Sequence, residues 1–238
     1  MIKSTQTEAF SIPGKYSVKE AAGLLGVSTT RVIQLVHSGE IKACKTVSDA
    51  FLIDAKALQT YQRIRVGKGR PWKTETAWAA LWLLSGKPVD WLEYHQLRRL
   101  SIRLKSISEK ELVWLSRRRA YSKTFRASSS FVEALKSELV LSGGSTILIS
   151  AMGLTKRNDI VEGYLAEQDY ELVKEKYHLV EDTDGNVVIH LVANPPFNLS
   201  CISQIPEAVV LVDMAESADT RERTVALSRL KELLHGQS

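Results

Sequence analysis

Cysteine is nearly absent: 238 residues hold two, Cys44 and Cys201. They stand too far apart for a metal-ligand spacing, and two thiols make no disulfide framework, so a reducing cytoplasm is the expected setting. No stretch approaches the ~18 uninterrupted apolar residues of an ordinary transmembrane helix, and no membrane partner is expected. The first residues, MIKSTQTEAFSIPGK, are polar and lack the apolar core of a secretory signal. Internal repeats and low-complexity tracts are missing as well.

The sequence is equally poor in groups that carry out chemistry. Its five histidines (His37, His95, His178, His190, His235) are scattered, none at ligand spacing from Cys, Asp or Glu. Ser142-Gly143-Gly144-Ser145 lacks the Gly-Lys-Ser/Thr step of a phosphate loop. A nucleotidyltransferase needs paired carboxylates soon after a Gly-Ser step, to hold Mg²⁺. Asp182-Thr183-Asp184 comes much later and reads as turn residues. The expectation is a protein with no catalytic residues, no metal and no cofactor.

Charge is plentiful and unevenly placed. Through Arg126 there are 23 Lys/Arg against 10 Asp/Glu, a net +13. From Ala127 onward there are 9 against 17, a net −8, and the whole chain stands at +5. A polyanion is drawn to the first half and repelled by the second.

The most regular stretch runs from Tyr16 to Tyr61. Ser17 can cap a helix whose Val18, Ala21, Ala22 and Leu25 share a face, and Gly26 suits the left-handed residue that ends it. Ser28 caps a second helix that turns Val32, Leu35 and Val36 inward and leaves Thr29, Thr30, Arg31, Gln34 and His37 outward. Gly39 closes it. The β-prone runs Ile41 to Thr46 and Phe51 to Ile53 flank a Val47–Ala50 turn, and Asp54 caps a third helix. Hydroxyls, an amide and a guanidinium on one exposed helix are the groups that read base edges in a major groove.

SVKEAAGLLGVSTTRVIQLVHSGEIKA followed by FLIDAKAL resembles the excisionase/MerR-type winged helix-turn-helix over about a fifth of the chain. The resemblance implies double-stranded DNA as partner; in that reading Thr29, Thr30, Arg31, Gln34 and His37 face bases and Ser28 and Lys45 the backbone, while Arg70, beyond the resembling stretch, is a candidate for backbone or minor groove. The Ser48-Asp49 wing tip departs from relatives with a basic or aromatic tip. Operators read by such motifs are usually palindromic, one half-site per copy ~34–36 Å apart, so a homodimer is expected.

Beyond Tyr61, RIRVGKGRPWK holds five basic residues broken by Gly67, Gly69 and Pro71. Gly69-Arg70-Pro71 is either the core of an AT-hook-like arm, with Arg70 in a narrow minor groove, or a connector with basic ends. Helices are expected from Thr74 to Gly86, from Asp90 to about Ser106, and from a Ser108/Glu111 capping box to Arg117-Arg118-Arg119. The tryptophans of the first belong to a core. Some of Arg98, Arg99, Arg103 and the Arg117–119 run should face phosphate. The rest reads as an edge strand at Tyr121 to Ala127, a helix capped by Ser129 or Ser130, strand-prone Val161 to Ala166, and a helix near Gln168 to Tyr177. A hairpin turning at Asp184-Gly185, a buried strand AVVLVDM and a last helix capped by Asp219 complete it. The fold class is α+β: winged helix-turn-helix over 13–66, basic helical segment over 67–125, acidic α+β domain over 126–238.

GLTKRNDIVEGYLAEQDYELVKEKYHLVEDTDGNVVIHLV, with PEAVVLVDMAESADTRERTVALSRLKELL, resembles the C-terminal part of AbiEi-like (abortive-infection type) antitoxins of bacteria. That resemblance implies a transcriptional autoregulator, a repressor of its own operon that restrains a nucleotidyltransferase-type toxin. A stand-alone regulator or excisionase-like protein without a toxin is the alternative.

Overall fold

The computed structural model describes residues 14–46, 49–64, 69–146, 148–154 and 160–236. The expectations placed on Val47, Ser48, Arg65, Gly67 and Lys68 fall outside them. The architecture is α+β, in two compact units that divide between Arg63 and Ile64.

In the first unit, β1 (Lys15–Ser17) leads into α1 (Val18–Leu25) through a reciprocal cap. Ser17 accepts from the Glu20 backbone N–H, and the Glu20 carboxylate accepts from the Ser17 N–H at 2.7 Å. Gly26 takes φ +63° and ends the helix, the left-handed position where a side chain is strained. Ser28 caps α2 (Thr29–His37), β2 (Ala43–Lys45) and β3 (Phe51–Asp54) form the wing, and Asp54 caps α3 (Ala55–Ile64) through the Ala57 N–H. β1 also pairs with β3, giving a three-stranded sheet in the order β1-β3-β2. Ala21, Leu25, Val32, Leu35, Ile41, Ile53, Leu58 and Tyr61 are buried between these elements.

The second unit is built on a five-stranded sheet of order β5-β6-β8-β4-β7: β4 (Tyr121–Arg126), β5 (Val140–Leu141), β6 (Val161–Ala166), β7 (Val180–Glu181), β8 (Val187–Val192). One face buries Phe125, Val161, Leu165, Val187, Ile189 and Leu191 against α7 (Ser129–Leu135) and α9 (Tyr170–Lys176). The other carries Ser122, Tyr164 and His190 in one row across three strands. That face meets α4 (Thr74–Leu84) and α10 (Glu207–Glu216). The remaining helices are α5 (Tyr94–Leu104), α6 (Glu109–Ser116), the single turn α8 (Leu148–Ala151) and α11 (Thr220–His235).

Four sequence expectations are corrected here. AVVLVDM is helix, not strand: it lies in α10, where Ala208 through Ala215 are all buried. A continuous apolar run looks the same in a buried strand and in a helix buried all round, and Pro206 at the N-cap decides for the helix. The expected hairpin about Asp184-Gly185 does not close on itself. β4 runs between β7 and β8 and pairs with both, so it is interior rather than an edge. Gly185 lets the turn approach β4 closely, since a Cβ there would collide with the Phe125 carbonyl. Asn186 bonds the Ala127 backbone twice, at 2.9 and 3.0 Å. Helix caps also shift: Lys73 rather than Thr74 is the N-cap of α4, Glu93 rather than Asp90 caps α5 in a capping box with Gln96, and Ser128 rather than Ser129 or Ser130 precedes α7.

The helices of the segment over 67–125, of which only α5 is itself basic, belong to the second unit together with the acidic elements. Counted by unit, the charge is 8 Lys/Arg against 5 Asp/Glu before Ile64, and 24 against 22 after it. The sign change therefore lies within one folded body, and part of it is internal pairing: Lys123–Glu181 at 2.9 Å and Arg126–Asp182 at 2.6 Å.

Candidate nucleic-acid interface

The sequence dictates a short amphipathic α2 with its apolar stripe spent on the core. Val32 and Leu35 are buried and Val36 half-buried, so the helix is pinned along one side. Thr29, Thr30, Arg31, Gln34 and His37 are all exposed on the other. Thr30, Gln34 and His37 follow the i, i+4, i+7 stripe, and Arg31 lies beside Gln34. The Arg31 guanidinium donates to Gln34 Oε1 at 3.3 Å, which holds the two longest side chains of this face together. The His37 ring stands edge-on to Phe51 at 5.5 Å, coupling the end of α2 to the wing. Gln62 donates to the Leu24 carbonyl at 2.9 Å and fastens α3 to the end of α1.

The first turn of α2 carries no acidic residue, so its amides and dipole present positive potential. Ser28 is exposed, and its Oγ accepts from the Arg31 N–H at 3.2 Å. Lys45 is exposed but held by Asp49 at 2.6 Å beside the Phe51 ring. A phosphate would have to draw Lys45 from that carboxylate, a small cost for a pair so open to water. Ile33, 39% exposed on the same face, is a further candidate that the sequence reading does not single out. Its signal was an apolar residue falling outside the inward stripe, and an aliphatic group there suits a thymine methyl.

Arg70 is exposed and belongs to the second unit. Its neighbours are tied down: Trp114 Nε1 donates to the Gly69 carbonyl at 3.0 Å and the Trp72 N–H to the Leu115 carbonyl at 2.9 Å. Trp78, Trp82, Trp91, Phe197 and Tyr164 interlock with ring centroids 4.4–5.8 Å apart, so these tryptophans are core. Of the three consecutive arginines, Arg117 stacks on Trp114 at 3.4 Å and Arg119 is 3% exposed. Arg119 does not face phosphate.

Arg119 instead anchors a buried polar cluster that the spacing of the histidines concealed. Its guanidinium donates to Asp213, to Glu216 at 2.8 Å and to the Tyr164 hydroxyl at 2.8 Å. Asp213 also accepts from Tyr164 and from Ser142. His190 bonds Ser122 through Nδ1 at 2.7 Å and Glu162 through Nε2 at 2.9 Å. Glu162, His190 and Asp213 bring ligand-type atoms within 4.8 Å of one another. The sheet and α10 bring together residues far apart in sequence, a cluster that the scattered spacing of the histidines does not announce. Both His190 nitrogens, both Asp213 oxygens and Glu162 Oε1 already have hydrogen-bond partners, and the Arg119 charge sits on the Asp213 carboxylate. The arrangement is a satisfied ion network, and a divalent cation would have to break it. Asp182, the other carboxylate weighed for chemistry, accepts from Arg126 and from the Asp184 N–H as a turn residue does.

The network makes folding sensitive to pH. Burial pulls the His190 pKa down, but Asp213 and Glu162 outweigh it and hold the imidazole above its usual 6.5. Its stabilisation is full below the unfolded value near 6.5 and is lost as pH rises through the higher folded value. The urea midpoint of the second unit is expected to fall as pH climbs from about 6.5, and His190→Gln to flatten that decline. An unsubstituted protein whose midpoint stays level across this range contradicts the charged imidazole.

Among the described residues no helix is long and apolar enough to cross a membrane. No curated protein and no solved structure matches the chain. Residues 16–65 match the model of a family described as a helix-turn-helix domain, and the first unit is accordingly a DNA-binding helix-turn-helix.

Proposed function

We propose that this protein is a sequence-specific transcriptional autoregulator of its own operon and the antitoxin of a nucleotidyltransferase-type toxin. The DNA half of that reading rests on one observation: α2 is anchored by Val32 and Leu35 while Thr29, Thr30, Arg31, Gln34 and His37 stand exposed along it. The antitoxin half rests on the resemblance of the two C-terminal stretches, which form β6, α9, β7 and β8 and then α10 and α11. In this reading the protein is not an enzyme, because the cluster best equipped for proton transfer is buried and internally satisfied. It binds palindromic operator DNA as a homodimer in the cytoplasm.

A stand-alone regulator is the second reading, because the helix-turn-helix match over residues 16–65 is accounted for by DNA binding alone. Two measurements separate them. Purified protein is titrated with its own promoter fragment in dilute buffer against an excess of unrelated duplex; no preference for the promoter sinks both readings. Co-expression with the adjacent gene is then scored for growth rescue and co-purification. Neither result, or a neighbour lacking a nucleotidyltransferase signature, leaves the stand-alone regulator.

A further inference from the structure

We propose that the outer face of α5, in the second unit, is a second duplex-DNA contact that grips phosphate without reading sequence. This rests on the DNA-binding reading of the first unit and extends it to a surface outside the helix-turn-helix. Leu100 and Leu104 are buried on α5 and Leu97 is half-buried. The remaining surface presents Arg98, Arg99 and Arg103 around an exposed Ile102, and Lys105 follows at the C-cap, all exposed. None of the four makes an ion pair among the described residues, although Arg103 lies near enough to Glu111 to help lower that carboxyl's pKa.

A merely solvated helix face has a different composition. Such faces mix signs at i, i+4, whereas α5 contains no acidic residue and sets Arg99 against Arg103 at that spacing, an unfavourable like-charge pair. The helix dipole accounts for cations in the last turn, which covers Arg103 and Lys105 but not Arg98 and Arg99. The exposed cations within the helix are all arginine, whose planar fork suits a phosphate better than a lysine ammonium does. Tyr94, 81% exposed and one turn before Arg98, adds a hydroxyl of the kind that bonds phosphate oxygens. Elsewhere in this unit several basic side chains are held by acidic partners, as at Lys123, Arg126 and Arg229. On α5 the charge is left over, and the complementary occupant is a dense, regular row of phosphates.

The test uses the full chain with all three arginines replaced, Arg98→Ala/Arg99→Ala/Arg103→Ala, on the promoter fragment and on a random-sequence duplex of equal length. Each lost phosphate contact should lower the slope of log affinity against log salt by about 0.9, so the triple variant should lose roughly 2–3 units of slope. It should weaken on both duplexes alike and keep its preference for the promoter. Replacing the same three residues by lysine should restore most of the slope. Arg31→Ala/Gln34→Ala should do the reverse, losing preference while the residual salt-dependent binding survives. Because the replaced residues are exposed, circular dichroism and the urea midpoint should not move. Unchanged slope and affinity in a folded triple variant overturn the α5 contact and leave the helix-turn-helix reading standing. A wild-type protein that binds neither duplex overturns both.

Discussion

Arg119→Ala is expected to destabilise the second unit by about 3–5 kcal/mol, the cost of removing one partner from a buried ion pair. Arg119 is 3% exposed, and it is the only guanidinium or ammonium within hydrogen-bond reach of Asp213 among the described residues. Without it Asp213 remains buried with the Tyr164 and Ser142 hydroxyls alone, and Glu216 loses a charge-assisted partner. Burial alone would push the arginine's pKa down, but Glu216, Tyr164 and Asp213 overcome that and keep it charged. Urea unfolding followed by tryptophan fluorescence isolates the effect, since all five tryptophans lie between residues 72 and 114 of the second unit. The pair Arg119→Met with Asp213→Leu should cost clearly less than Arg119→Ala, because no buried charge is then left unopposed at Asp213. A loss below about 1 kcal/mol, the scale of an exposed pair, would mean that water reaches the network.

That network shows where a sequence stops being readable. The first unit was legible nearly in full, because its determinants are local: Ser17 with Glu20, Gly26, Ser28 and Asp54 each act within four residues of their own position. Strand β1 escaped because three residues carry too little alternation to announce a strand, and only pairing with β3 makes it one. In the second unit the decisive relations are long-range. Arg119 meets Asp213 across 94 residues, and β4 meets both β7 and β8 at separations no turn signal records. One local clue was available: Asp213 stands alone inside a run of eight buried residues, and a buried carboxylate needs a cation. The charge asymmetry misled for a related reason. It follows chain order, whereas charges cancel by position in space, and Arg119, Lys123 and Arg126 find their carboxylates in the acidic half. What survives is the charge on α5, whose cations make no ion pair among the described residues.

On the DNA side, Arg31→Ala should cost about 1–3 kcal/mol on the preferred operator and relax discrimination at one base position, if the guanidinium makes a bidentate base contact. Gln34→Ala should cost a similar amount at a neighbouring position. The two are not independent, because Arg31 donates to Gln34 Oε1 and each holds the other in place before DNA arrives. The double variant should therefore lose less than the sum of the single losses, the coupling expected of contacting side chains. Competition binding against a set of single-base operator variants measures both the loss and its position. Both side chains are exposed and α2 is anchored by Val32 and Leu35 on its opposite face, so folding should be untouched. Uniform weakening on every sequence, with a shallower salt dependence, would recast Arg31 as a phosphate anchor. Reading would then fall to Thr30, Gln34 and His37 along the adjoining stripe, with Ile33 able to report a thymine methyl.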